Sequence, residues 1–200
     1  GLARKYGAGF IHISTDYIFD GIKEIPYTEL DDPNPRSKYA HSKYIGEQAV
    51  HTAKPSAAIV RTSWFYSQFG HNFVKTIINL GSNNDEIRVV NDQIGTPTFA
   101  EDLADVILRI LPSLNSFKAV KTYNYSNEGV LSWYDFAKNI MEITNTNCKI
   151  LPIESKDYAM SDIRPFYSLL NKAKIKNTFD LDIPYYKDSL KECLKLMGDN

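Results

Sequence analysis

The sequence predicts an α/β protein: part of a parallel sheet with flanking helices, followed by a small C-terminal lobe. Three observations carry this. Short apolar stretches with strand character alternate with helical stretches, the pattern of a parallel sheet joined by right-handed crossovers. The run Ala57–Thr62, AAIVRT, is nearly all apolar, as strands buried on both faces are. From about Val120 the strands weaken and loop increases, which divides the chain into residues 1–119, holding the main sheet, and residues 120–200, mainly a covering lobe.

Each element has its own signal. Leu2–Tyr6 reads as the tail of a helix closed by Gly7 or Gly9. A strand follows at Gly9–Ser14 and ends in the cluster Ser14-Thr15-Asp16. The loop Asp16–Pro35 exceeds the usual length of about 4–6 residues, which marks it as functional or disordered. Pro35 is expected to open a helix running to about Thr52, because proline suits the first turn. After Ala57–Thr62, the loop SWFYSQFGH leads into a helix over Asn72–Leu80 that Gly81 is expected to stop. Glu86–Val90 reads as a strand, DQIGTP as a Gly/Pro turn, and an amphipathic helix starts near Ala100. Val120–Tyr125 is a further strand. Ser132 is placed to cap a helix reaching Glu142. A short strand Lys149–Ile153, a short helix Asn171–Lys176 and a last helix Tyr185–Met197 complete the chain.

The bulk numbers exclude several classes. The 200 residues are 43% hydrophobic and 24% charged, ordinary for a globular protein. A net charge of -1 gives nothing to hold nucleic acid or a membrane surface. No apolar run approaches the roughly 20 residues of a membrane span, and the N-terminal GLARKYGAG is no signal peptide. Cys148 and Cys193 make neither a disulfide framework nor a metal site, which fits a reducing cytoplasm.

Chemistry concentrates around the first strand and the helix after it. Tyr39 and Lys43 stand four residues apart and so share a helix face. A phenol with a pKa near 10 is a poor proton donor at neutral pH, and a cation one turn away favours the phenolate. General acid–base chemistry needs that adjustment. Thr15, at the strand end 24 residues earlier, is suited to holding the same substrate oxygen. A second pair of the same spacing, Tyr134 and Lys138, follows no such strand and reads as an ordinary helix face.

Six ordered stretches extend the argument: STDYIFDG, PYTELDDPNPRSKYAHSKYIGE, RTSWFY, HNFVKTI, DQIGTPTFAEDLAD and DIRPFYSLLN. Together they resemble the dTDP-4-dehydrorhamnose reductase family, within the extended short-chain dehydrogenases/reductases. The resemblance implies a Rossmann-like sheet and NADPH (or NADH) as cofactor. It implies reduction of the C4 keto group of dTDP-4-dehydro-6-deoxy-L-mannose to dTDP-L-rhamnose. In it Tyr39 protonates the C4 oxygen, Lys43 binds the nicotinamide ribose, and Thr15 completes the catalytic set. Ser14 and Thr62 fall on the cofactor side with Tyr39 and Lys43. Asp16, Trp64, Gln93, Thr96, Pro97 and Arg164 fall on the substrate side, Arg164 toward the diphosphate, as a guanidinium fork suits. Residues 120–200 become mainly the substrate lobe. Some relatives hold Mg2+ at a homodimer interface through glutamates, one resembling Glu101, which also reads as a first-turn helix carboxylate.

Two departures from the family pattern matter. The helix carries Tyr39-Ala40-His41-Ser42-Lys43 where many relatives have glycine after the tyrosine, a small change in a helix. The glycine-rich strand–turn–helix that seats the cofactor pyrophosphate is absent from the sequence. The chain is therefore expected to be a C-terminal fragment of a reductase, binding NADPH weakly or not at all by itself and inactive alone, with dimerisation through the cut sheet an open outcome. Two other functions share these features: a non-catalytic regulatory subunit like methionine adenosyltransferase beta, and a sugar-nucleotide epimerase or dehydratase.

Overall fold

A computed structural model describes residues 2–158 and 164–198. Asp162 and Ile163 of the DIRPFYSLLN stretch lie outside the described residues. Helix α1 (Leu2–Tyr6) closes at Gly7, whose φ of +63° suits glycine. Strand β1 (Phe10–Thr15), helix α2 (Lys38–Ala53) and strand β2 (Ala57–Thr62) follow. All six residues of β2 are buried, as its apolar run requires. Next come β3 (Phe65–Tyr66), α3 (Phe73–Asn83), β4 (Glu86–Val90), β5 (Ile94–Gly95), β6 (Thr98–Phe99) and α4 (Ala100–Ile110). The remaining elements are β7 (Lys121–Asn124), β8 (Leu131–Ser132), α5 (Trp133–Thr144), β9 (Lys149–Ile153), α6 (Ala173–Phe179) and α7 (Tyr186–Gly198).

The main sheet is parallel, in the order β1-β2-β7. Thr15 pairs with Thr62 at the last register position of β1 and β2, so both strands deliver their C-terminal ends to one place. Helix α4 covers one face, packing Leu103, Val106 and Ile110 on Ala58, Val60 and Tyr123. Helix α2 covers the other with far less apolar surface, Val50 against Ala57 and Ile59. The fold is thus a three-layer α/β/α arrangement.

Two local expectations are corrected. Helix α2 starts at Lys38, capped by Ser37, whose hydroxyl accepts from Ala40 N at 3.1 Å; Pro35 lies ahead of it. A serine oxygen satisfies an orphan amide of the first turn, which proline cannot. Helix α3 runs through Gly81 to Asn83. Gly81 is a packing residue: a Cβ there would stand 2.5 Å from Met141 Sδ of α5. The cap predicted at Ser132 is present as a capping box with Asp135.

Strand β4 does not join the main sheet. It pairs in parallel with β9, Glu86 opposite Lys149 through Val90 opposite Ile153. This small sheet packs with α3, α5 and α7 around Ile77, Val89, Phe136, Ile140 and Leu190. Strand β7 meanwhile pairs with β2, so elements from both sides of residue 120 share sheets. Among the described residues no helix is long and apolar enough to cross a membrane.

Candidate active site

Above the C-terminal ends of β1 and β2 opens a cavity of about 510 Å³. Open α/β sheets bind ligands at this edge. Three chain segments build its reactive side. The end of β1 brings Ser14, Thr15, Asp16 and Tyr17; α2 brings Tyr39 and Lys43; the turn after β2 brings Thr62, Ser63 and Trp64. Arg164 comes from the far C-terminal part, Phe73 and Thr76 from α3, and Trp133 from the start of α5.

Lys43 is held in place by the strand it faces: its Nζ donates to Ile13 O at 2.6 Å. Tyr39 is half exposed, with its ring edge-on to Tyr17 at a centroid distance of 6.3 Å. Thr15 Oγ1 donates to Asp16 Oδ1 at 3.1 Å and accepts from Tyr17 N at 3.3 Å. Burial pushes the Asp16 carboxyl up to about 7, while the neighbouring Ser168 and Thr15 hydroxyls pull the other way. Asp16 is 2% exposed, and its Oδ2 has no hydrogen-bond partner. Burial also raises the Tyr17 phenol, with the Asp16 charge adding to it and Arg164 opposing. His12, under α2, is lowered by burial and then by the Lys43 charge. Ser14 Oγ is another buried atom without a partner. Thr62 Oγ1 donates to Thr98 Oγ1 at 3.0 Å.

Trp64 has a φ of +46°, a left-handed conformation unusual for a bulky residue and of the kind that clusters at ligand clamps. Its ring stacks on Trp133 with centroids 3.7 Å apart and planes 12° from parallel. Gly95 leaves room for that stack, since a Cβ there would stand 2.8 Å from Trp64 Cε2. Behind Phe73 and Trp133 lies a second cavity of about 200 Å³. Ile77 and Val89 contribute apolar lining, and Arg88, Gln93, Tyr158 and Arg164 contribute polar groups. Phe73, Thr76, Trp133 and Arg164 border both cavities, so the two share a wall.

The predicted residues divide accordingly. Thr15, Asp16, Tyr39, Lys43, Ser14, Thr62, Trp64 and Arg164 meet at the larger cavity. Gln93 lines the smaller one, its Nε2 donating to Ser155 Oγ at 2.9 Å. Thr96 and Pro97 are both buried and line neither cavity. Thr96 Oγ1 donates to Gly129 O at 2.6 Å, so it braces the turn behind Trp64. Glu101 is exposed on α4, outside both cavities, and accepts from Gln68 Nε2. Among the described residues no three His, Cys, Asp or Glu side chains are grouped to hold a metal, so Glu101 does not fit a Mg2+ site within one copy. Tyr134 and Lys138 stay with each other, the ammonium 5.3 Å from the ring centroid. Sequence reasoning missed Tyr17, Phe73, Arg88, Trp133 and Tyr158. Phe73 stood within HNFVKTI, a stretch noticed without a role.

Gly21, the last residue of STDYIFDG, seats the Arg164 corner. Its φ is +79°, and a Cβ there would stand 2.3 Å from Pro165 Cβ and 2.6 Å from Pro165 Cα. Its amide donates to Tyr27 Oη at 3.0 Å. Gly21→Ala combines a strained left-handed residue with a backbone clash. It is expected to cost about 1–3 kcal/mol, read as a lower urea midpoint at unchanged slope.

A parallel sheet with a strand-end Ser-Thr-Asp and a Tyr–Lys pair on the neighbouring helix is the layout of an extended short-chain dehydrogenase/reductase. The chain belongs to the family described as RmlD substrate binding domain, whose model matches residues 1–198. It is 39% identical over 194 residues to the dTDP-4-dehydrorhamnose reductase of Sinorhizobium fredii, covering 94% of this chain and 66% of that protein. The crystal structure of a dTDP-4-dehydrorhamnose reductase from Clostridium acetobutylicum superposes with a TM-score of 0.91 at 40% identity, covering 98% of this chain and 70% of that one. The corresponding reductase of Bacillus anthracis, solved in complex with NADP, gives a TM-score of 0.89 at 37% identity, covering 97% and 67%. The chain spans 65% and 66% of the length of two curated relatives it matches.

Proposed function

We propose that the protein containing this chain reduces the C4 keto group of dTDP-4-dehydro-6-deoxy-L-mannose with NADPH, giving dTDP-L-rhamnose, in the cytoplasm. The observation that carries this reading is the convergence of Thr15, Tyr39 and Lys43 on one cavity that adjoins a second, largely apolar one. Tyr39, Lys43 and the unpartnered Ser14 Oγ suit the nicotinamide and ribose end of the cofactor. The pyrophosphate end would need a glycine-rich turn that this sequence does not contain. A bound reduced nicotinamide supplies the hydride.

The chain's own residues do the rest. Tyr39 Oη gives its proton to the C4 oxygen as the carbonyl π bond breaks and the C4–H bond forms. The Lys43 charge stabilises the phenolate left behind. Thr15 orients the same oxygen, and the Trp64–Trp133 stack walls the sugar from water. Arg164, shared by both cavities, suits the diphosphate, and the apolar smaller cavity with Arg88 at its rim suits the pyrimidine. In this reading the β1-β2-β7 layer serves the cofactor and the β4–β9 lobe the nucleotide sugar. A Mg2+ bridge through Glu101 would require ligands from a second copy.

The test is NADPH oxidation by the natural-length protein supplied with the 4-keto sugar nucleotide, followed at 340 nm. Stoichiometric oxidation with formation of the 6-deoxy-4-hydroxy product is the expected result. Conversion of the sugar nucleotide without net NADPH use would instead assign an epimerase or dehydratase. Nucleotide binding with no chemistry would assign a regulatory subunit.

A further inference from the structure

Helix α2 carries the reactive pair, and its apolar anchors are few: Val50 on Ala57 and Ile59, and the partly buried Tyr44 against the cluster of Ile18, Phe19, Tyr27 and Leu170. Only Ala40, Glu47 and Val50 of its sixteen residues are buried. A carboxylate among those three is unusual, since charged side chains are seldom fully buried unless paired. Tyr39, Lys43 and Glu47 follow at four-residue intervals and so run along one face.

Glu47 is paired with Arg61 of the central strand. Arg61 Nε and Nη2 donate to Glu47 Oε1 at 3.0 Å and Oε2 at 2.8 Å, a two-pronged contact. The side chains are 1% and 6% exposed. Arg61 stands opposite Ser14 on one neighbouring strand and Asn124 on the other, one residue before Thr62. Its guanidinium carbon also lies 5.3 Å from the Phe19 ring centroid, on the loop that follows Asp16. One arginine therefore ties α2 to β2 and lies against the loop behind the catalytic threonine.

We propose that Glu47 and Arg61 are positioning residues: their ion pair fixes the rotation and depth of α2, and so the place of Tyr39 and Lys43 over the cavity. The physical reason is geometric. Apolar contacts such as those of Val50 and Tyr44 are non-directional and tolerate small rotations of the helix, whereas a fork of two hydrogen bonds accepts one. Around the pair, Lys43 faces Ile13 O, and His12 lies beneath Gly46, whose Cβ would stand 3.1 Å from His12 Nε2. His12 feels the Lys43 and Glu47 charges in opposite senses. The inference rests on the reading of Tyr39 and Lys43 given above.

The test uses the natural-length protein with Glu47→Gln and with Arg61→Lys, which keeps the charge but loses the fork. Glu128→Gln is the control, because Glu128 accepts from Lys172, a 9% exposed lysine remote from α2. Both α2-linked variants are expected to lose on the order of tenfold to a hundredfold in kcat, as small misplacements of a reacting group do. KM for the sugar nucleotide should stay within about twofold, because its pocket is built elsewhere. Amide exchange over residues 38–46 should quicken in both. Glu128→Gln should keep kcat at any comparable loss of thermal stability. Unchanged kcat and exchange in a folded Glu47→Gln or Arg61→Lys, or an equal fall of kcat in Glu128→Gln, would overturn the proposal. If Glu47→Gln does not fold, Arg61→Lys decides by the same readings. Should the wild type not oxidise NADPH, the catalytic reading fails, and exchange over α2 still reports whether the pair seats the helix.

Discussion

Tyr39→Phe is expected to lower kcat by on the order of a hundredfold to ten-thousandfold while leaving KM and stability nearly unchanged. The magnitude is that of losing a positioned general acid. The direction of each reading follows from the geometry. The ring is half exposed, so removing its hydroxyl opens no cavity and strands no buried partner. In the proposed reading the sugar nucleotide is held by Trp64, Phe73, Trp133 and Arg164, which line the cavity and lie off α2, so ground-state binding should be preserved. A loss confined to kcat marks an interaction made in the transition state. Residual turnover should persist, because Thr15 and Lys43 remain to polarise the carbonyl. Steady-state NADPH oxidation with the natural-length protein checks this, and a Tyr39→Phe enzyme within threefold of wild type would remove Tyr39 from the mechanism.

How far the sequence alone reached can be judged element by element. Strands and helices were legible wherever the signal is local: the apolar run Ala57–Thr62, the Ser132 cap, the four-residue Tyr39–Lys43 spacing. Misreadings arose where one residue type serves two purposes. Gly81 looks like a helix stop, and only Met141, sixty residues on, shows that it is a packing glycine. Pro35 looks like a helix start, but the serine two residues later supplies the acceptor that the first turn needs. Pairing of β4 with β9 rather than with the main sheet is a long-range fact with no local trace. The same holds for the site. Thr15, Tyr39, Lys43 and Trp64, all within residues 14–64 and legible from short spacings, line one cavity, whereas the wall between the two cavities joins Phe73, Trp133 and Arg164 from distant parts of the chain. The Trp64–Trp133 stack depends on the absence of a side chain at Gly95, which no spacing rule reveals. Thr96 and Pro97 show the converse: a motif names neighbours in sequence, and a turn sends some of them inward, away from both cavities.

The second large effect belongs to Asp16, where function and stability oppose one another. The folded protein holds this carboxyl up near 7 against an ordinary value near 4, mainly through burial. Below pH 4 both folded and unfolded chains carry the proton, and the site costs nothing. As pH rises from about 4 to 7 the unfolded chain releases its proton first, so stability falls through this window. Above about 7 the folded protein bears an ionised, buried carboxylate, at a cost of about 4 kcal/mol for a shift of this size. Asp16→Asn removes the ionisation. Its stability should match wild type near pH 3 and exceed it by as much as about 4 kcal/mol at pH 8. Urea unfolding midpoints across that range check the sign and the window; parallel wild-type and variant curves would show that Asp16 ionises freely. The same variant should bind the nucleotide sugar less well if the proposed role of Asp16 holds, since Asp16 lines the cavity and amide and carboxylate present different hydrogen-bonding groups. A buried carboxylate kept at a stability cost is what a binding site, and not a core, selects.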